Sequence, residues 1–186
     1  MDTEVLRRRF TADEYQLMGK AGIFTEDDRV ELIDGEIFEM SPIGNRHHAC
    51  VDRLTRILVI GLGERAIVRV QGSFRPNQYS EPQPDIAVLR PRADFYANET
   101  AVAPDTLLVI EVAQSSLAFD RGIKQRLYAR SEIRDYWIVD VNGDAVEVYR
   151  SPSGDAYAET RRAQRGGTVS PEAFPDLVIR VDDILG

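Results

Sequence analysis

Cysteine is nearly absent. Cys50 is the only one in 186 residues, which excludes an intramolecular disulfide and makes a reducing compartment the natural setting. No Cys-His cluster exists to hold a structural zinc. Long apolar runs are missing too; the longest are strand-sized, well short of the roughly 20 residues that span a bilayer. Arg7, Arg8 and Arg9 precede a polar stretch, without the apolar segment of a secretory signal. A cytoplasmic protein with no membrane partner is expected. Lysine is also scarce, with Lys20 and Lys124 set against 21 arginines. Arginine stays charged, whereas lysine is a compact charge whose pKa can move, so each retained lysine raises a question. Lys20, beside Gly19 and Gly22 in an expected turn, reads as ordinary surface charge.

The chain does have acidity and an ordinary globular composition. Its 43% hydrophobic content is enough for one core, and its length points to a single domain over residues 1–186. The net charge of −8 counts against tight nucleic-acid binding. Only residues 116–135 are net positive, with Arg121, Lys124, Arg126, Arg130 and Arg134 against Asp120, Glu132 and Asp135. Arg161, Arg162 and Arg165 form a second small cluster. Phosphate contacts dominate nucleic-acid affinity, so two such patches on an acidic body imply weak binding. A homodimer, the common twofold assembly, would present both copies.

Thr11-Ala-Asp-Glu14 fits a capping box and predicts a helix over residues 12–20. Asp34-Gly35 interrupts a β-rich run from Val30 to Met40 and predicts a hairpin, since both turn positions favour positive φ. Val51, Leu54, Leu58 and Leu62 recur at helical spacing and predict a helix over about 46–61. Strands are expected at 66–74, 85–89 and 106–113, followed by a helix at 116–130. Residues 91–105 form a long connection with room for a short helix. Asn142-Gly143 predicts a second hairpin between strands 136–141 and 144–149, and a weaker strand covers 177–181 before a C-terminal turn. The pattern is an α/β (α+β) domain with a mixed, largely antiparallel sheet.

Two carboxylates stand in apolar surroundings. Glu111 interrupts Leu107-Leu-Val-Ile-Glu-Val-Ala113, a run typical of a strand buried on both faces. A buried carboxylate must shift its pKa or find a cation. Asp85 opens the preceding strand, Asp85-Ile-Ala-Val-Leu89. Acidic residues on consecutive strands can converge at one sheet edge and share a divalent cation; a strand cap at Asp85 and an arginine partner for Glu111 are the plainer reading. Lys124 lies on the following helix and could position or deprotonate an attacking water. Equally, Asp120 and Lys124 could form an ordinary i,i+4 surface pair.

Glu81-Pro-Gln-Pro-Asp85, Ile110-Glu111-Val, Asp120-Arg-Gly-Ile-Lys124 and Tyr128-Ala together resemble a branch of the PD-(D/E)XK nuclease superfamily. That branch is the bacterial "putative restriction endonuclease" family abundant in cyanobacteria. Glu31-Leu-Ile-Asp-Gly-Glu36, Met40-Ser-Pro, His47 before a helix and Asp135-Tyr-Trp-Ile-Val-Asp140 fit the same pattern. The resemblance implies a restriction-endonuclease-like core, with Asp85 and Glu111 as ligands of Mg²⁺ (or Mn²⁺) and DNA as substrate. Ala113 occupies the usual lysine position of the signature, and Lys124 matches the place from which this branch supplies its lysine. Glu31, Glu36 and His47 are secondary candidates. Polar hairpin faces are the plainer role for the two glutamates, and a helix-start hydrogen bond is at least as good a role for His47. Gln114, Ser115 and Ser116 could donate hydrogen bonds to a phosphate, with helix capping the preferred role, and Tyr128 and Trp137 are read as core.

The expected activity is therefore metal-dependent hydrolysis of DNA phosphodiester bonds, with Lys124 assisting the attacking water. A catalytically inactive scaffold that binds nucleic acid or protein is the alternative. For the enzyme, Asp85→Ala and Lys124→Ala are each expected to abolish cleavage while leaving the fold intact.

Overall fold

The computed structural model describes residues 6–25, 27–40 and 42–186. Helix α1, Ala12–Lys20, opens with the capping box: the Thr11 side chain accepts from the Glu14 backbone, and the Glu14 carboxylate accepts from the Thr11 N–H. Strands β1 (Val30–Ile33) and β2 (Glu36–Glu39) form the expected hairpin. Its turn holds Asp34 at φ 52° and Gly35 at φ 83°. A Cβ on Gly35 would come within 2.5 Å of the Arg9 Cβ, so glycine is required for space as well as for φ. Helix α2, Asn45–Leu62, buries Cys50, Val51, Leu54, Leu58 and Leu62 along one stripe.

A six-stranded sheet follows, in the order β3-β4-β5-β6-β7-β8. Its strands are Ile67–Val70, Ile86–Leu89, Thr106–Ala113, Asp135–Asp140, Ala145–Ser153 and Ala156–Gln164. Only the β5–β6 pair is parallel, and the crossover between them carries α3 (Leu117–Phe119), a π turn (Asp120–Lys124) and α4 (Gln125–Arg130). One sheet face packs Val88, Leu108, Ile110 and Val112 against α2. The other packs Ala87, Val109 and Ala113 against Leu127, Tyr128 and Ile33. The sheet is thus covered on both faces, with α2 on one side and the crossover plus the β1–β2 hairpin on the other. At the C-terminus, β9 (Thr168–Val169), β10 (Ile179–Arg180) and α5 (Val181–Leu185) complete the chain.

Several expectations are corrected. The strand predicted to Phe74 stops at Val70 because Gln71 turns to φ 46°. The long connection does hold a short helix, a 3₁₀ turn at Ala103–Asp105. The Asn142-Gly143 hairpin closes through a four-residue loop whose positive φ falls on Asp144, not on the Asn-Gly pair. Strand β8 escapes the sequence pattern altogether. Only Tyr157 and Ala163 along it are buried, so it has little apolar alternation to read.

Candidate active site

The β4–β5 register brings the two singled-out carboxylates together. Ile86 pairs with Ile110, so Asp85 and Glu111, one step further, meet at the same end of adjacent antiparallel strands. Asp85 Oδ2 accepts from the Val112 backbone N–H at 2.8 Å and lies 2.9 Å from His47 Nε2. His47, in the first turn of α2, is therefore held by Asp85 and not by a hydrogen bond at the helix start. Glu111 Oε1 accepts from Lys124 Nζ at 3.0 Å and from the Tyr128 hydroxyl at 2.8 Å. Each carboxylate thus commits one oxygen to protein donors; among the described residues the second oxygen makes no hydrogen bond.

The route by which Lys124 arrives differs from the predicted continuous helix. Ser116, Asp120, Lys124 and Tyr128 recur every four residues, a spacing that drifts by about 40° per step around an α-helix. The π turn at Asp120–Lys124 widens the helix locally, as such bulges often do at functional sites, and both Asp120 and Lys124 are buried. They are not the surface i,i+4 pair that was the plainer sequence reading. Ser116 does not cap the helix through its side chain; its hydroxyl donates to Asp120 Oδ2 at 2.6 Å. Arginine is not the partner of Glu111 either, because Lys124 fills that place.

Glu31 completes the group. It is fully buried on β1, with Oε1 accepting from Lys124 Nζ at 3.1 Å and from the Gln83 N–H at 2.8 Å. The half-exposed hairpin face expected for Glu31 is thus overturned. Glu36 keeps that plainer role, since it is exposed and pairs with Arg7 at 3.3 Å. Ser41 of the Met40-Ser-Pro motif lies outside the described residues. Glu81 pairs with Arg75 at 3.1 Å, and its backbone N–H bonds Leu32 O at 2.7 Å, so it fastens the hairpin to the segment leading into Asp85.

Electrostatics follow from burial. Desolvation, reinforced by Asp120, Asp85 and Glu31, pushes the Glu111 carboxyl well above the usual range against the opposing pull of Lys124. The flanking carboxylates more than offset the desolvation of Lys124, so its ammonium holds its proton more tightly than an ordinary lysine. Burial raises Asp120 from 3.8 to about 6. The folded chain therefore binds a proton at Asp120 that the unfolded chain has released, and this site loses stability as pH rises from about 4 to 6. Asp120→Asn is expected to remove that slope, by on the order of 2 kcal/mol between the ends of the window. Urea denaturation of both proteins across it checks the point; parallel curves would contradict it.

These side chains line a cavity of about 350 Å³, whose walls include Glu31, His47, Asp85, Glu111, Asp120 and Lys124. Of the sequence candidates, Asp85, Glu111, Lys124, Glu31 and His47 converge there and Glu36 does not. Ser116 lines it too, as does Asp120, which was unforeseen, and Tyr128 bonds Glu111 from the core behind it; the four-residue stripe was the signal for Asp120 and Tyr128. Among the described residues, no three His, Cys, Asp or Glu side chains are placed to hold one ion. The donor set nonetheless suits a hard cation, which takes one or two carboxylates and fills its remaining positions with water and substrate oxygens.

Most arginines of the two basic clusters are tied up in ion pairs. Arg121 pairs with Glu147 and Asp140, Arg130 with Asp34 and Asp155, and Arg134 with Glu172. Arg162 meets Asp140 and Glu147, and Arg165 meets Asp144 and Asp182. Acidic residues distant in sequence thus pair most of both patches; among the described residues Arg126 forms no ion pair and Arg161 donates only to the Thr168 carbonyl. No helix among the described residues is long and apolar enough to cross a membrane.

A family model described as "Putative restriction endonuclease" (Uma2) matches residues 12–182. Among solved structures, the chain is similar to "a putative nuclease belonging to DUF820 from Anabaena variabilis ATCC 29413". Identity is 19%, the TM-score is 0.72, and the match covers 95% of this chain and 97% of that one. At that identity the likeness establishes the fold. No curated protein matches the chain.

Proposed function

The chain belongs to the Uma2 family, and on that premise we propose that it is a metal-dependent endonuclease that hydrolyses DNA phosphodiester bonds. The observation that carries this reading is the pairing of Asp85 and Glu111 at one strand end, each with an uncommitted oxygen, and the buried Lys124 bonded to Glu111. In this reading the two carboxylates hold Mg²⁺ or Mn²⁺. Such an ion would acidify water and neutralise charge on the phosphoryl oxygens.

The chain's own groups divide the remaining work. Lys124, protonated between Glu31 and Glu111, orients Glu111 and offers positive charge to the phosphate. Its tight hold on the proton disqualifies it as the base, one of the roles open to it in the sequence. Asp120 lines the same cavity, and its carboxylate is the group assigned here to take the proton of the attacking water. Water oxygen then bonds phosphorus while the bond from phosphorus to the leaving deoxyribose oxygen breaks, and that oxygen takes a proton from solvent water. His47 and the Val112 N–H keep Asp85 in its rotamer.

Calorimetry with Mg²⁺ and Mn²⁺ tests the reading. The wild-type chain is expected to bind one ion, and Asp85→Asn to weaken binding by about 10- to 100-fold or more. Cleavage of plasmid and oligonucleotide DNA should follow the same order. Unchanged ion binding in Asp85→Asn would remove the metal assignment, and an absence of any ion site would favour a nuclease-like scaffold without catalysis.

A further inference from the structure

The site is under cover. Asp85, Glu111 and Lys124 are only 8, 3 and 2% exposed, because the β1–β2 hairpin lies across them and places Glu31 against Lys124. The cavity that reaches them is half apolar in its walls. Phe38, Met40, Pro42 and Ile43 line one side, and Ala118 and Phe119 belong to the crossover opposite. The Phe38 and Phe119 rings touch, with centroids 5.3 Å apart, and together form one aromatic edge of the cavity. Gln114 adds a buried Oε1 with no hydrogen-bond partner on the wall of the same cavity.

We propose that this cavity seats one unstacked nucleobase of a single-stranded DNA, so that the substrate is an unpaired strand or frayed end and not an intact duplex. The inference rests on the phosphodiesterase reading above and names the substrate class for it. Space is the first argument. A volume of 350 Å³ is a box about 7 Å on a side, room for one base or phosphate but not for a base pair with both its backbones. The carboxylates lie inside that box, so the reacting phosphate must be carried in on a strand that can leave its partner. Chemistry is the second. A base is uncharged and tolerates the acidic wall, its flat face suits the phenylalanine rings, and its edge offers N–H donors to Gln114 only when unpaired. Charge is the third. Most arginines of the two clusters that could have tracked a duplex backbone are paired with Glu147, Asp140, Asp34 and Glu172, whereas a single base held by stacking needs fewer phosphate contacts.

The test uses the full chain with Mn²⁺ and end-labelled oligonucleotides of one sequence, offered as single strand and as blunt duplex. Single strands are expected to be cut at least about tenfold faster. Phe38→Leu, which keeps apolar volume but removes the ring, is expected to raise KM for the single strand by about tenfold with kcat little changed. Equal cutting of strand and duplex would overturn this inference while leaving the nuclease reading standing. A strand preference that Phe38→Leu does not alter would overturn the seating on the phenylalanine wall. Failure to cut either substrate would overturn the nuclease reading and this inference with it.

Discussion

Glu111→Gln is expected to lower DNA cleavage by at least about 100-fold while leaving the chain as stable as wild type or more so. The amide oxygen can still accept from Lys124 and Tyr128, which now donate to Oε1 at 3.0 and 2.8 Å. Lys124 also keeps Glu31 as its counter-charge. What disappears is a negative charge that burial already disfavours, so the fold loses little and the ion loses a ligand. Cleavage kinetics and denaturation midpoints measured together separate the two effects. Retained cleavage would exclude Glu111 as a ligand. A collapse in stability would mean that its charge, and not its hydrogen-bonding oxygen, supports the fold.

Lys124→Met should unfold the chain more readily, by about 3–5 kcal/mol, the usual cost of stranding a buried charge. Methionine nearly matches the aliphatic stem in volume, so packing is a minor part of the loss. The larger part is Glu31 and Glu111, each ion-paired to the ammonium at 3.0–3.1 Å and left facing one another without it. The sequence expectation that removing Lys124 spares the fold is therefore revised. Part of the loss should return at low pH. Without Lys124, the main opposition to the burial that already raises the Glu111 carboxyl is gone, and a proton there removes the stranded charge. Adding Glu31→Gln to Lys124→Met should recover stability at neutral pH without recovering cleavage. A loss below about 1 kcal/mol at neutral pH would show the cluster to be far more solvated than its 0–4% side-chain exposure implies.

Much of the site was legible because it broke local rules. Glu111 inside an apolar strand and a lone lysine in an arginine-rich chain were visible without coordinates. Glu31 was harder, because a glutamate before a hairpin turn looks the same whether it faces solvent or a buried lysine 93 residues away. Tyr128 was correctly read as core, but its hydroxyl bond to Glu111 carries no sequence mark beyond the four-residue stripe. The basic patches misled for the complementary reason. Segment charge counts residues near in sequence, whereas Arg121 is neutralised by Glu147 and Asp140 from the next two strands.

By itself the sequence determined what depends on neighbours along the chain. The capping box, the Asp34-Gly35 turn, the apolar stripe of α2 and the continuous burial of β5 follow from backbone geometry and hydrophobic period. Tertiary structure alone decided what depends on which strands meet. The β4–β5 register joins Asp85 to Glu111, the π turn carries Lys124 and Asp120 inward, and the hairpin brings Glu31 over the site. The physical reason is common to all three. A buried charge is tolerated only beside its partner, and those partners lie on separate elements that only packing brings together.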